Sequence, residues 1–141
     1  MANAKRSVDW QKLHYKMSRI KDRDTKPEIL VRSVLYRLGY RFRCHVAHLP
    51  GKPDVVLPKH KTIIFVHGCF WHQHRGCQKC KIPRSNVNFW KNKLTSNVKR
   101  DRIQEKILGA AGWKVVTIWE CETKEISILS TRIRNFLAKR P

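Results

Sequence analysis

The sequence predicts an α/β fold in which a mixed central β-sheet is flanked by helices. Three observations carry that expectation. "KTIIFV" and "WKVVTIWE" are short apolar runs of strand length, rich in β-branched residues. Helical periodicity governs the segments around them. The resulting order is helix, three strands, helix, strand, helix, with no internal repeat, which is most economically built as a sheet with helices packed on it. At 141 residues, the chain has room for one modest core that can fold without a disulfide framework.

The first helix is punctuated clearly. In "TKPEILVRSVLYRLG", Thr25 and Glu28 have capping-box spacing, Pro27 lies in the first turn and Gly39 stands at the end. Leu30, Val34, Leu35 and Leu38 share one face, which must pack on a core. "YRFRCHV" alternates as a strand, with Cys44 read as a core residue. "PGKPD" is a turn, and "VVLP" and "KTIIFV" complete a three-stranded meander ending at His67. A helical pattern resumes from Asn86 to Ala111, in two pieces, with Phe89, Trp90, Leu94, Val98, Ile103, Ile107 and Leu108 directed inward and Gly112 as the stop. "WKVVTIWE" is the fourth strand. Ile126, Leu129, Ile133, Phe136 and Leu137 mark a closing amphipathic helix.

Charge sets the class of partner. Thirty-one Lys and Arg against 10 Asp and Glu give a formal net charge of +21, a field that attracts a polyanion, with nucleic acid as the default. The basic residues are spread through every segment, as on the surface of a folded domain. Residues 1–24 form a basic N-terminal arm, and 25–141 a single domain. No apolar stretch approaches the roughly 18 residues of a membrane span, and the N-terminus lacks an apolar signal region. A soluble, cytoplasmic protein with no membrane partner is expected. The five cysteines are an odd number, four of them near histidines or in short spacings, as metal thiolates more often are than secreted disulfides.

The chemistry concentrates in "HGCFWHQH", residues 67–74, and the loop after it. Cys69, His74, Cys77 and Cys80 lie close together in a polar, Gly/Pro-interrupted stretch, and thiolates with an imidazole at this spacing suit tetrahedral Zn²⁺. Cys121, at a strand end, can also reach the loop, so five candidates compete for four positions. Asp54 opens an apolar strand beside the strand that delivers His67, a usual way to hold Mg²⁺ with a few oxygen ligands; plain turn chemistry is the competing account. A histidine of this stretch that is not on a metal is the natural general base near neutral pH. Phe70 and Trp71 are adjacent, so in extended chain they face opposite ways and at least one is exposed, where it could stack on or wedge between bases.

Several strings in register carry a resemblance. "MSRIKDRDTKPE", "LPGKPDVV", "IFVHGCFWH", "NFWKNKL", "NVKRD" and "AGWKVVTIWEC" occur in the order seen in the very short patch repair (Vsr) DNA mismatch endonucleases, and the chain resembles that family over about residues 17–121. The resemblance implies a fold like that of type II restriction endonucleases, with a structural zinc loop. It implies Mg²⁺-dependent nicking of one strand 5′ of the thymine in a T·G mispair left by deamination of 5-methylcytosine, and so the initiation of very short patch repair. By the same resemblance Asp54 looks like the Mg²⁺ carboxylate, with the backbone carbonyl of Val66 beside it; Val66 stands where some relatives carry Thr. His72 resembles the general base, His67 a supporting catalytic histidine and Glu28 a second acid of the site. Phe70, Trp71 and, from the arm, Met17 match residues that wedge into the duplex. Cys69, His74, Cys77 and Cys121 match a structural zinc site, with Cys80 an additional thiol that could replace Cys77.

The expectation is therefore a monomeric endonuclease acting on T·G-mismatched double-stranded DNA, with Mg²⁺ and Zn²⁺ as cofactors and mismatch-repair proteins as candidate partners. Two alternatives stand beside it: a zinc-stabilised DNA-binding module without catalysis, and a restriction-type nuclease acting on paired DNA.

Overall fold

The computed structural model describes residues 24–138, so Met17 and residues 1–23 of the arm lie outside the described residues. Helix α1 (Lys26–Arg37) starts and stops where its sequence signals stand. The Thr25 hydroxyl accepts the Glu28 N–H at 3.4 Å, but Glu28 does not complete the expected reciprocal cap on Thr25. Its carboxylate instead accepts the N–H of Asp24 at 2.8 Å. At the other end Gly39 takes φ +86°, and the N–H groups of Gly39 and Tyr40 return to the carbonyls of Tyr36 and Leu35. This is a Schellman stop, which a left-handed glycine closes without a Cβ penalty.

Strands β1 (Arg43–Cys44), β2 (Val55–Leu57), β3 (Thr62–His67) and β4 (Lys114–Trp119) form one sheet in that order. The first three are antiparallel neighbours, as the meander requires, while β4 runs parallel to β3. The parallel step needs a long crossover, supplied by helix α2 (Val87–Ala110). Strand β3 is buried at every position, which accounts for its unbroken apolar run. Ile64 and Val66 face a larger core shared with α1 and with helix α3 (Ile126–Ala138). Ile63 and Phe65 face a smaller cluster that includes Leu108 of α2. His67 has the parity of Ile63 and Phe65, so its side chain emerges on the α2 face at the end of the strand.

Four expectations need correction. The segment 87–110 is one helix of 24 residues: it has no proline, and its polar stretch is used by tertiary structure, because Asn97 is buried and donates to the Trp71 carbonyl at 3.0 Å. The same helix buries only Leu94, Asn97 and Leu108, while Phe89, Ile103 and Ile107 are at least half exposed. Periodicity marks a possible face but not how much of a long helix a small sheet can cover. Cys44 is exposed, since the alternating run collapses to a two-residue edge strand that turns away at His45, φ +51°. Ile126, at the start of α3, is exposed too, whereas Leu129, Ile133, Phe136 and Leu137 are buried as expected.

This division gives a stability contrast. Ile64→Ala, which empties a fully buried position between two layers, is expected to cost about 2–5 kcal/mol in denaturant unfolding. Ile103→Ala, on the uncovered side of α2, should stay within about 0.5 kcal/mol of the parent.

Candidate active site and cysteine–histidine cluster

The approach to Asp54 is a tight turn. Lys52 N–H donates to the Leu49 carbonyl at 3.1 Å, with Pro50 and Gly51 as the central residues and Gly51 at φ +79°, the arrangement of a type II turn. A Cβ on Gly51 would lie 2.7 Å from Gln104 Oε1 and 3.1 Å from Phe65, so both the backbone angle and the space call for glycine. The turn leads into β2, and Asp54 Oδ2 accepts the N–H of Val66 on β3 at 2.7 Å. Burial pushes the Asp54 carboxyl up to about 7; the Val66 N–H works against that rise, and the neighbouring Glu28 carboxyl adds to it. Glu28 is itself buried. Its surroundings are completed by Asp24, which pairs with Arg32 at 3.0 Å and His45 at 3.1 Å. Asp54, anchored by the Val66 N–H, and the buried Glu28 form an inward pair of hard-oxygen donors that suits Mg²⁺.

His67 and His72 meet as a stacked pair, centroids 3.7 Å apart and ring planes 5° from parallel. His67 is buried, and burial, reinforced by the His72 charge, pushes it down to about 3, so it stays neutral. His72 Nδ1 lies 2.6 Å from Asp101 Oδ2. That contact keeps the proton on Nδ1 and leaves Nε2 as an acceptor. Although His67, His72 and Asp101 could together offer three metal ligands, imidazole lone pairs lie in the ring plane, and parallel rings do not converge on one ion. Asp101 was missed as a functional residue from sequence. Its only signal is its place in "NVKRD", because a helical acid in a basic stretch reads as a solvated charge.

The loop after β3 gathers four of the five metal-ligand candidates. Ligand atoms of Cys69, His74, Cys77 and Cys121 all lie within 4.8 Å of one another; His74 Nδ1 is 3.7 Å from Cys69 Sγ and 3.4 Å from Cys121 Sγ. Cys80 stands apart from this group, with its thiol donating to the Cys77 carbonyl at 2.9 Å. Burial pushes the Cys69 thiol up to about 12, while the backbone N–H of Lys79 holds Cys77 below its usual value. Three sulfurs and one imidazole nitrogen so close together suit tetrahedral Zn²⁺, whose charge would offset thiolates that are otherwise costly to bury.

Between the two clusters, aromatic rings line the loop and the start of α2. Phe70 packs on Trp71 and Trp90, with centroids 5.2 and 5.5 Å away, and Phe89 sits 5.3 Å from Trp90. Trp71 is 40% and Phe89 59% exposed. Trp90 and Phe89 join this group although their helical spacing directs both toward the core. Glu28, Asp54, His67, Trp71, His72 and Asp101 all line one cleft of about 1370 Å³, so elements far apart in sequence converge on a single site.

The buried neutral His67 also predicts acid sensitivity. The unfolded chain takes up a proton near pH 6.5, whereas the folded chain refuses it until about pH 3. The stability that neutral His67 contributes is therefore fully present above pH 6.5 and falls as pH drops toward 3, whereas Asp54, raised from 3.8 to about 7, contributes in the opposite sense over nearly the same range. His67→Asn, which cannot titrate, should lose less stability than the parent, or gain some, as pH falls from 6.5 to 3 in denaturant unfolding.

Comparison with known proteins gives the family. The family described as DNA mismatch endonuclease Vsr matches residues 6–79. The chain is 42% identical over 127 residues to the type II nicking enzyme V.XorIIP of Xanthomonas oryzae pv. oryzae, covering 90% of this chain and 93% of that protein. It is 44% identical over 126 residues to the type II nicking enzyme V.NmeAIP of Neisseria meningitidis serogroup A, 89% of each. With the DNA mismatch endonuclease Vsr of Escherichia coli it shares 43% identity over 105 residues, 74% of this chain and 67% of that protein. The chain belongs to the Vsr family of DNA mismatch endonucleases, and is therefore a DNA endonuclease.

Proposed function

We propose that this protein nicks one strand of double-stranded DNA on the 5′ side of the thymine in a T·G mispair, in a Mg²⁺-dependent reaction that starts very short patch repair. The observation that supports it best is the convergence of an inward acid pair, Asp54 and Glu28, with an Asp101-oriented histidine in one cleft. The nicking names of the relatives point the same way. In this reading the fold is of the type II restriction endonuclease kind. Residues 1–24 are a DNA-contacting arm that brings Met17 to the duplex, and 25–141 the endonuclease domain of a cytoplasmic monomer. Mismatch-repair proteins are candidate partners.

The residues divide the work. Asp54 and the Val66 carbonyl would hold Mg²⁺, which when bound supplies charge stabilisation to the phosphodiester oxygens. His72 takes the proton of the attacking water on Nε2, and Asp101 accepts the Nδ1–H and steadies the imidazolium that forms. His67, neutral and stacked on His72, fixes the plane of the base without adding a competing charge. Glu28, held by the Asp24 N–H, provides the second acid beside Asp54. Phe70 and Trp71, backed by Trp90, wedge into the duplex, which costs less at a poorly stacked T·G wobble than in paired DNA. Cys69, His74, Cys77 and Cys121 would hold Zn²⁺ as a structural ion. The +21 surface provides affinity without sequence information, so binding should weaken steeply with salt.

The decisive assay compares T·G with T·A duplexes, with Mg²⁺ and with EDTA. Nicking confined to T·G and to Mg²⁺ is expected, and equal cutting of T·A would replace this reading with a restriction-type nuclease. Asp54→Ala should bind the mismatched duplex normally yet lose detectable nicking; His72→Ala should slow the chemical step by about 10²–10⁴-fold. Purified protein should carry one zinc, and Cys69→Ser should lower both zinc content and melting temperature.

A further inference from the structure

We propose that Trp119 is a positioning residue for the nicking reaction, tying the ring planes of His67 and His72 to that of His74. The inference rests on the reading of His72 as the base. Trp119 ends β4 and is the direct register partner of His67 at the end of β3, so the two side chains leave the sheet on the same face. His74 lies flat on the Trp119 ring, with centroids 4.3 Å apart and planes 8° from parallel. His67 meets Trp119 edge-on, at 5.4 Å and 70°, and stacks in turn on His72. An unbroken series of ring contacts therefore runs from the cysteine–histidine cluster to the His72–Asp101 pair.

Each end of this series has an independent anchor. The plane of His74 is set by the sulfurs of Cys69 and Cys121 around its Nδ1, and that of His72 by Asp101. By backbone, the two histidines are joined only through Gln73, which sits at φ +51°. Turn hydrogen bonds from the His72 and His74 N–H groups to the Gly68 and Cys69 carbonyls fix that backbone, but they leave the side-chain torsions, and so the ring planes, to packing. Trp119 provides that packing: it is rigid, has two torsions, and offers a face to one histidine and a contact to the other. Such placement matters because a proton-accepting nitrogen misplaced by about 1 Å can cost on the order of a hundredfold in rate.

The full-length protein with Trp119→Leu and Trp119→Phe tests this, using a T·G duplex at saturating DNA and Mg²⁺. Three further readouts are taken: duplex affinity in EDTA, zinc content, and the NMR position of the His72 Cε1–H, which lies one ring further along the stack. Trp119→Leu is expected to slow nicking by about tenfold or more with affinity within about twofold, zinc unchanged and the His72 resonance displaced. Trp119→Phe, which keeps an aromatic face, should recover most of the rate and the resonance. Nicking by the leucine variant at the parent rate would overturn the proposal. So would loss of zinc or of duplex affinity in proportion to the rate, since the role would then be merely structural. His72→Ala is run in parallel: if it too nicks normally, the assignment of the base fails, whereas an impaired His72→Ala beside a normal Trp119→Leu refutes the positioning role alone.

Discussion

Strand β3 is the constraint on which the rest of the molecule depends. It is buried at all six positions and pairs on both edges, antiparallel to β2 and parallel to β4. Because side chains alternate along it, one register serves two cores at once, and a slip of one residue would exchange every contact. That register also builds the site. Val66 presents its N–H to Asp54, the residue just before β2, His67 emerges on the α2 face, and Trp119 stands beside His67 at the end of β4. Asp101 reaches the same place because α2 is the crossover that makes β3 and β4 parallel neighbours.

The electrostatics set a small acidic interior against a basic exterior. The chain carries a formal +21, yet Glu28 and Asp54 turn inward together, and the Glu28 carboxylate raises the cost of ionising Asp54. Arg32 works against that repulsion, as its charge lowers the Asp54 pKa. It also pairs with Asp24, whose backbone N–H caps Glu28. A polyanionic backbone drawn to the basic surface thus meets a cleft whose carboxyls repel it unless a cation stands between them. In the proposed reaction this arrangement couples phosphate placement to the divalent metal.

The segment "HGCFWHQH" interleaves residues of three groups. Cys69 and His74 enter the cysteine–histidine cluster, Phe70 and Trp71 join an aromatic group with Trp90, and His67 stacks on His72, which meets Asp101. Asn97 fixes the middle of the loop by bonding to the Trp71 carbonyl from a buried position on α2.

The sequence by itself determined the order of elements, the start of α1 at Thr25 and its stop at Gly39, the glycine turn before Asp54, and the residues of the ligand loop. These are matters of local backbone conformation and periodicity, which neighbouring residues decide among themselves. By spacing alone it left both Cys77 and Cys80 with a claim, the family resemblance favouring Cys77; the folded loop brings Cys77 to the cluster and turns Cys80 to a carbonyl. The same limit explains Asp101, Trp90 and Trp119, whose partners lie on other elements. It explains the uncovered Phe89, Ile103 and Ile107 as well, since apolar spacing states which side of a helix could be buried, while the extent of the sheet beneath it decides how much is.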